Sequence, residues 1–295
     1  MQRKGHSPRL ATLAGAGAIA LWAFLAALTR NARAVPPLEI TALGFAVSAV
    51  LGLLVLGCTG RLAELRQRPL AWLHGVGGLF GYHALYFAAL GLAPVAEANL
   101  LNYTWPLLIV LFSALLLGMR LGWLHVGGMV LGAAGCALVL GRNVSFGGSG
   151  DAMLGYAFAA GAGAVWALYS VTSRRLATVP TGAVAGFCAA TAVLAAIAHF
   201  LFERTVMPDA RALLAMTLMG IGPVGAAFFL WDIGMKRGDP RLLGTLAYAT
   251  PIASTLLLCL GGFAPFTPGL LAAAALVAAG GLVAARASTS APPMP

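Results

Sequence analysis

The segment LFGYHALYFAAL (79–90) carries Tyr82, His83 and Tyr86, and LLNYTWPLLIV (100–110) carries Asn102, Tyr103, Trp105 and Pro106. These groups suit reversible binding better than bond-making. Aromatic faces stack planar solutes and attract an ammonium, and asparagine offers both a donor and an acceptor. Tyr82 and Tyr86 stand four apart on one helical face, in mid-segment and not at a segment end where interfacial tyrosine belongs. Asn102 follows a helical stripe with Asn99 and Pro106, with Tyr103 at its flank, and Trp105 points about 100° away, either lining a different wall or packing between helices. In the second half Trp166, Tyr169 and Ser173 have helical 3–4 spacing, as do Thr245, Tyr248 and Thr255 over a longer span, and Trp22 supplies a further ring. Packing and interhelical hydrogen bonds are the plain alternatives for any one of them. Pro106 and Pro251 each remove an amide donor from a helix interior, at about 3 kcal/mol or more. That is tolerable where the freed carbonyl faces a watery cavity or finds another partner, and such a carbonyl would suit an ammonium group.

The elements that hold these residues are membrane helices. The chain has 295 residues, 60% hydrophobic and 9% charged, with a mean hydropathy of +0.91. Apolar stretches long enough to cross a bilayer occur at 10–29, 38–57, 70–90, 96–117, 123–140, 153–173, 182–202, 211–234, 242–260 and 269–285. The longest polar connections, near 58–69 and 141–152, hold about a dozen residues each. No soluble domain fits, so function sits between helices. An intramembrane enzyme would need a nucleophile–base pair or a metal cluster. The spans offer neither an H-x-x-x-H pair nor grouped carboxylates, and Cys58, Cys136, Cys188 and Cys259 have no metal or disulfide spacing. No catalytic residue, metal or cofactor is expected. His83 is the one mid-membrane histidine, and the one acid inside an apolar stretch, Asp232, has Lys236 at i+4 as its natural partner.

The net charge of +10 comes from basic residues in short connections and calls for no nucleic acid. Placing the N-terminus in the cytoplasm puts Arg3, Lys4, Arg9, Arg61, Arg66, Arg68, Arg120, Arg174, Arg175, Lys236, Arg237, Arg241 and Arg286 inside, and leaves Arg30, Arg33, Arg142, Arg204 and Arg211 outside. The positive-inside bias therefore predicts both termini in the cytoplasm. A cleaved leader over 1–34, ending at Ala32-Arg33-Ala34, is disfavoured because an apolar run of about 20 residues is long for one, and because this first helix has a counterpart later in the chain. Gly77-x-x-x-Gly81 and Gly128-x-x-x-Gly132 permit close helix packing.

That counterpart is VWALYSVTSR (165–174), which matches LWAFLAALTR (21–30) in its tryptophan, the following alanine, a hydroxyl residue and the closing arginine. NYTWP (102–106) matches AYATP (247–251), pairing Tyr103 with Tyr248 and Pro106 with Pro251. LYFAALGLAP (85–94) parallels LWDIGMKRGDP (230–240) with one extra residue, pairing Tyr86 with Trp231. The expected architecture is an all-α membrane protein of ten transmembrane helices in two five-helix repeats, 1–141 and 152–287, followed by a tail at 288–295. An odd helix count inverts the second repeat, a transporter plan whose site lies where the halves meet.

The duplicated plan, the paired W-A elements and the Y-x-x-P elements resemble the drug/metabolite transporter superfamily in its EamA branch, along essentially the whole chain. Many EamA relatives carry a glutamate after the helix that follows the proline. Here LLLGMRLG has Met119-Arg120 and CLGGFAPF has no acid, which puts any mechanism needing that glutamate in question. The resemblance implies export of aromatic and other hydrophobic amino acids across a bacterial inner membrane by alternating access, with a monomer sufficient and lipid as the surroundings. The substrate-lining residues would be Trp22, Tyr82, His83, Tyr86, Asn102, Tyr103, Trp105, Trp166, Tyr169 and Tyr248 in one cavity. With no acid at mid-membrane, downhill uniport is the expectation, and a proton-coupled exporter of small drugs or metabolites, with His83 as its titrating group, is the alternative.

Overall fold

A computed structural model of the chain describes residues 7–140, 150–262 and 265–289. Arg3, Lys4, Arg142 and positions 290–295 of the expected tail lie outside the described residues. All described regular structure is helical. Nine described helices are long and apolar enough to cross a membrane: α1 (Pro8–Asn31), α2 (Pro37–Cys58), α3 (Pro69–Leu92), α4 (Glu97–Leu117), α6 (Gly150–Leu176), α7 (Ala183–Phe202), α8 (Ala210–Arg237), α9 (Pro240–Leu260) and α10 (Pro268–Arg286). The shorter apolar α5 (Trp123–Leu138) lies between α4 and α6.

The helix starts are written in proline. Pro8, Pro37, Pro69, Pro240 and Pro268 all stand in a first turn, where the missing amide is unneeded. Ser7 accepts from Leu10 N at 3.3 Å, and Asp239 accepts from Arg241 N at 2.9 Å and Leu242 N at 3.3 Å, so α1 and α9 are capped by side chains. Gly118, at φ 66°, ends α4 in the left-handed conformation that glycine adopts without penalty.

Four helices are interrupted in mid-course. α1 breaks at Ala23 and Phe24, α4 at Tyr103 and Thr104, and α9 at Ala247 and Tyr248, while α8 holds a π-turn over Gly222–Ala226. The α4 and α9 breaks come just before Pro106 and Pro251, as the missing amides require. The two differ in outcome. The Ala247 carbonyl is taken by Thr250 N at 3.0 Å, whereas the Asn102 carbonyl lies against Gly163 of α6, so close that a Cβ there would stand 2.9 Å from it.

The helices pack chiefly as α1 with α8, α3 with α6, α2 with α7, α4 with α6 and α5 with α10. Within α1 and α8 the partners run antiparallel, since Asp239 N donates to Thr12 Oγ1 at one end and Trp22 Nε1 to the Pro223 carbonyl further along, both at 3.0 Å. Gly128 and Gly132 pack as expected, Gly128 against Gly280 and Ala284 of α10 and Gly132 against Tyr248. Gly77 and Gly81 do not: a Cβ on Gly77 would meet nothing within 4 Å, and one on Gly81 only Val165 at 3.8 Å. The close approach on α3 is made by Gly75 against Phe187 and Gly78 against Tyr169, because spacing alone does not say which face of a helix finds a partner.

At the end of the bundle carrying the 203–209 connection, Glu203 accepts from Leu38 N (3.1 Å) and Glu39 N (3.3 Å) at the start of α2. Glu39 in turn accepts from Val206 N (3.1 Å), and His199 Nδ1 lies 2.9 Å from Glu203. A carboxylate on a helix N-terminus is favoured by the exposed amides and the dipole, so α2 and α7 are tied reciprocally there. At the other end, Arg241 pairs with Asp239 at 3.1 Å and donates to the Arg120 carbonyl at 2.8 Å.

Candidate functional site

Four tryptophans from four helices meet in the interior. Trp22 of α1 lies 6.2 Å from Trp105 of α4, 5.7 Å from Trp166 of α6 and 5.0 Å from Trp231 of α8. Trp105 is edge-on to Trp166 (6.4 Å) and Trp231 (6.0 Å), and Trp166 stacks on Trp231 at 6.3 Å. Edge-to-face and offset pairs of this kind match the ring quadrupoles, at about 0.5–1.5 kcal/mol each beyond area burial. Trp105 is 5%, Trp166 4% and Trp231 1% exposed, so the rings fill the space between the helices in this conformation. Of the two placements open for Trp105, the structure shows packing between helices.

Tyrosines extend the cluster along α3 and α6. Tyr82 lies 5.3 Å from Trp166 and stacks on Tyr86 at 5.9 Å with an interplanar angle of 3°. Tyr169 lies 5.4 Å from Trp166. The Tyr86 hydroxyl donates to Asn99 Oδ1. His83 sits at the edge, its ring 5.1 Å from Phe45 and 6.4 Å from Phe228, and its Nδ1 lies 2.7 Å from the Leu79 carbonyl of its own helix.

Asn102 is the polar point of the site. Its Nδ2 donates to the Tyr82 hydroxyl at 3.2 Å, and its Oδ1 is buried with no hydrogen-bond partner among the described residues. A buried acceptor left unpaired costs about 1–3 kcal/mol. With the Asn102 carbonyl against Gly163, the break in α4 brings two acceptor oxygens of one residue beside the rings.

Tyr103 and Tyr248 belong to a neighbouring cluster. They pack together with Cys136, Ile252 and Leu107 in a second cluster between α4, α5 and α9, with the Tyr248 ring against Gly132. Three residues of the main cluster were not singled out from the sequence: Phe45, Phe228 and Trp231. Phe45 stacks on Phe228 at 5.5 Å, and Trp231 Nε1 donates to Ser170 Oγ at 3.0 Å. The signal for Trp231 was its pairing with Tyr86. Asp232 and Lys236 form the expected i,i+4 ion pair at 2.7 Å. Among the described residues no group of three His, Cys, Asp or Glu side chains is placed to hold a metal ion.

The chain belongs to the EamA-like transporter family, whose model matches residues 9–141 and again 153–286. With its apolar spans this makes it a multi-pass membrane protein and a transporter rather than an enzyme. It is 52% identical to the aromatic amino acid exporter YddG of Ancylobacter novellus, over 93% of this chain and 96% of that one. The aromatic amino acid exporter YddG of Salmonella typhimurium is 27% identical over 92% of this chain and 96% of its own length. A crystal structure of a protein 51% identical in sequence superposes with a TM-score of 0.91, covering 96% of this chain and 99% of that chain.

Proposed function

We propose that the protein exports aromatic and other hydrophobic amino acids across the bacterial inner membrane through its centre, as a uniporter working by alternating access. Ten helices in two inverted repeats, 1–141 and 152–287, carry both termini in the cytoplasm. The observation that carries the reading is the aromatic cluster itself, four tryptophans contributed by α1, α4, α6 and α8, with the unpaired Asn102 oxygen beside it. When the bundle opens, the rings part to stack on a substrate side chain, and Asn102 Oδ1 gives a substrate N–H its acceptor. The printed names of the relatives support the same substrate class. The charges support uniport: Asp232 is already paired with Lys236, and one nitrogen of His83 is held by its own helix, which leaves a proton few carriers at mid-membrane.

The purified protein in liposomes is expected to move labelled tryptophan, phenylalanine and methionine down their gradients, with net flux almost unchanged when an imposed pH gradient is collapsed. Flux of a cationic dye without amino acid flux would replace this reading with the drug-exporter alternative. Amino acid flux that stops with the pH gradient would remove uniport.

A further inference from the structure

Beside the aromatic cluster lies a buried ion pair that the ring site leaves unused. The side chains of Lys236 and Asp232 are 5% and 4% exposed. The face of the pair turned away from α8 meets one acceptor and one donor of the 177–182 connection: Lys236 Nζ donates to the Val179 carbonyl at 2.9 Å, and Thr181 Oγ1 donates to Asp232 Oδ2 at 2.7 Å. Both charges line a cavity of ≈ 10 Å³, room for about one water molecule. His74 and Tyr169 line it too. Tyr169 also stacks against Trp166, so one ring belongs to both the cavity and the aromatic cluster.

We infer that Asp232 and Lys236 are a recognition subsite for the zwitterionic head group of an α-amino acid. When the 177–182 connection withdraws, the α-ammonium takes the place of the Thr181 hydroxyl on Asp232, and the α-carboxylate takes the place of the Val179 carbonyl on Lys236. The inference rests on the amino acid transport reading above. Its physical basis is the order of donor and acceptor that the pair already holds. Withdrawing the connection strips two hydrogen bonds from two buried charges, which is costly unless they are replaced. A zwitterion restores the same order with a full charge on both sides of each bond, in place of the neutral hydroxyl and carbonyl. The substrate then binds the opened state better than the closed one, the differential affinity a ligand needs in order to shift a conformational equilibrium. Ligands bearing one charge restore half of the pattern.

The test is equilibrium binding of labelled tryptophan, tryptamine and indole-3-propionate to the purified protein. Wild-type protein is expected to bind tryptophan about tenfold or more tighter than either single-charge ligand. The double variant Asp232→Asn with Lys236→Met removes both charges together, avoiding a lone buried charge, and is expected to bind all three within about threefold of one another. Thr181→Val strips neither charge of its ionic partner, and by removing the hydroxyl that holds the connection to Asp232 it should tighten tryptophan severalfold. Equal affinity for the three ligands in the wild type overturns the inference. So does an undiminished tryptophan preference in the double variant, or, if that variant does not fold, an unchanged tryptophan affinity in Thr181→Val. A wild-type protein that neither binds nor moves tryptophan brings down the transport reading and this inference together, whereas tryptophan flux without the preference removes the inference alone.

Discussion

Replacing Trp166 by alanine is expected to lower tryptophan flux severalfold, up to about tenfold, while methionine flux stays within about twofold of wild type. Trp166 lies within 6.4 Å of Trp22, Trp105 and Trp231 and also touches Tyr82, Tyr169 and Phe228, so it is the ring most shared among the walls. A substrate indole that loses one aromatic partner loses about 0.5–1.5 kcal/mol, roughly two- to tenfold in affinity. Methionine has no ring to stack and is affected less. Truncating a buried tryptophan also costs about 3–5 kcal/mol of stability, so the readout is the ratio of the two fluxes at matched amounts of folded protein. Trp166→Phe, which keeps a ring, should lose less. Tyr248→Ala is the control: Tyr248 is 2% exposed but packs in the second cluster, so its loss should lower stability and leave the ratio alone. An unchanged ratio in Trp166→Ala would mean that these rings only pack.

Gly128→Val is expected to destabilise the protein severely and Gly77→Val hardly at all. A Cβ on Gly128 would stand 2.6 Å from the Gly280 carbonyl oxygen and 3.1 Å from the Ala284 amide nitrogen. Both are backbone atoms of α10, which cannot rotate aside as a side chain can. Relief requires the two helices to move apart, and overpacking of this kind costs about 1–3 kcal/mol or more. Nothing lies within 4 Å of the same atom built on Gly77. Thermal unfolding of the two purified variants checks the contrast, and equal melting temperatures would refute the backbone contact between α5 and α10.

The spans were legible because a membrane helix must satisfy its backbone internally over a set length. The stretch 38–57 became Pro37–Cys58, and 182–202 became Ala183–Phe202. The breaks before Pro106 and Pro251 were equally legible, since proline cannot donate. The interruption of α1 at Ala23 and Phe24 was not, having no proline to mark it. The π-turn at Gly222–Ala226 does carry a mark, Pro223, whose missing amide interrupts the helix there. Of the expected site, Trp22, Tyr82, His83, Tyr86, Asn102, Trp105, Trp166 and Tyr169 come together around one cluster. Tyr103 and Tyr248 follow the same repeat but stand at the breaks of their helices, where a small change of helical phase turns a side chain from one wall to another. Phe45 escaped notice because a lone phenylalanine in an apolar helix carries no signal until its neighbour, here Phe228 on α8, is known.

Counterflow tests the central claim most directly. Liposomes containing the protein are loaded with unlabelled tryptophan and diluted into a trace of labelled tryptophan, with no pH gradient or membrane potential. A carrier whose site between the two halves faces one side at a time returns with label as the unlabelled solute leaves. The internal label should therefore rise transiently above its equilibrium value, and Trp166→Ala should flatten the overshoot. Label that climbs to equilibrium without overshoot in the wild type, at any internal load, would show a pore or a leak and contradict alternating access through the aromatic cluster.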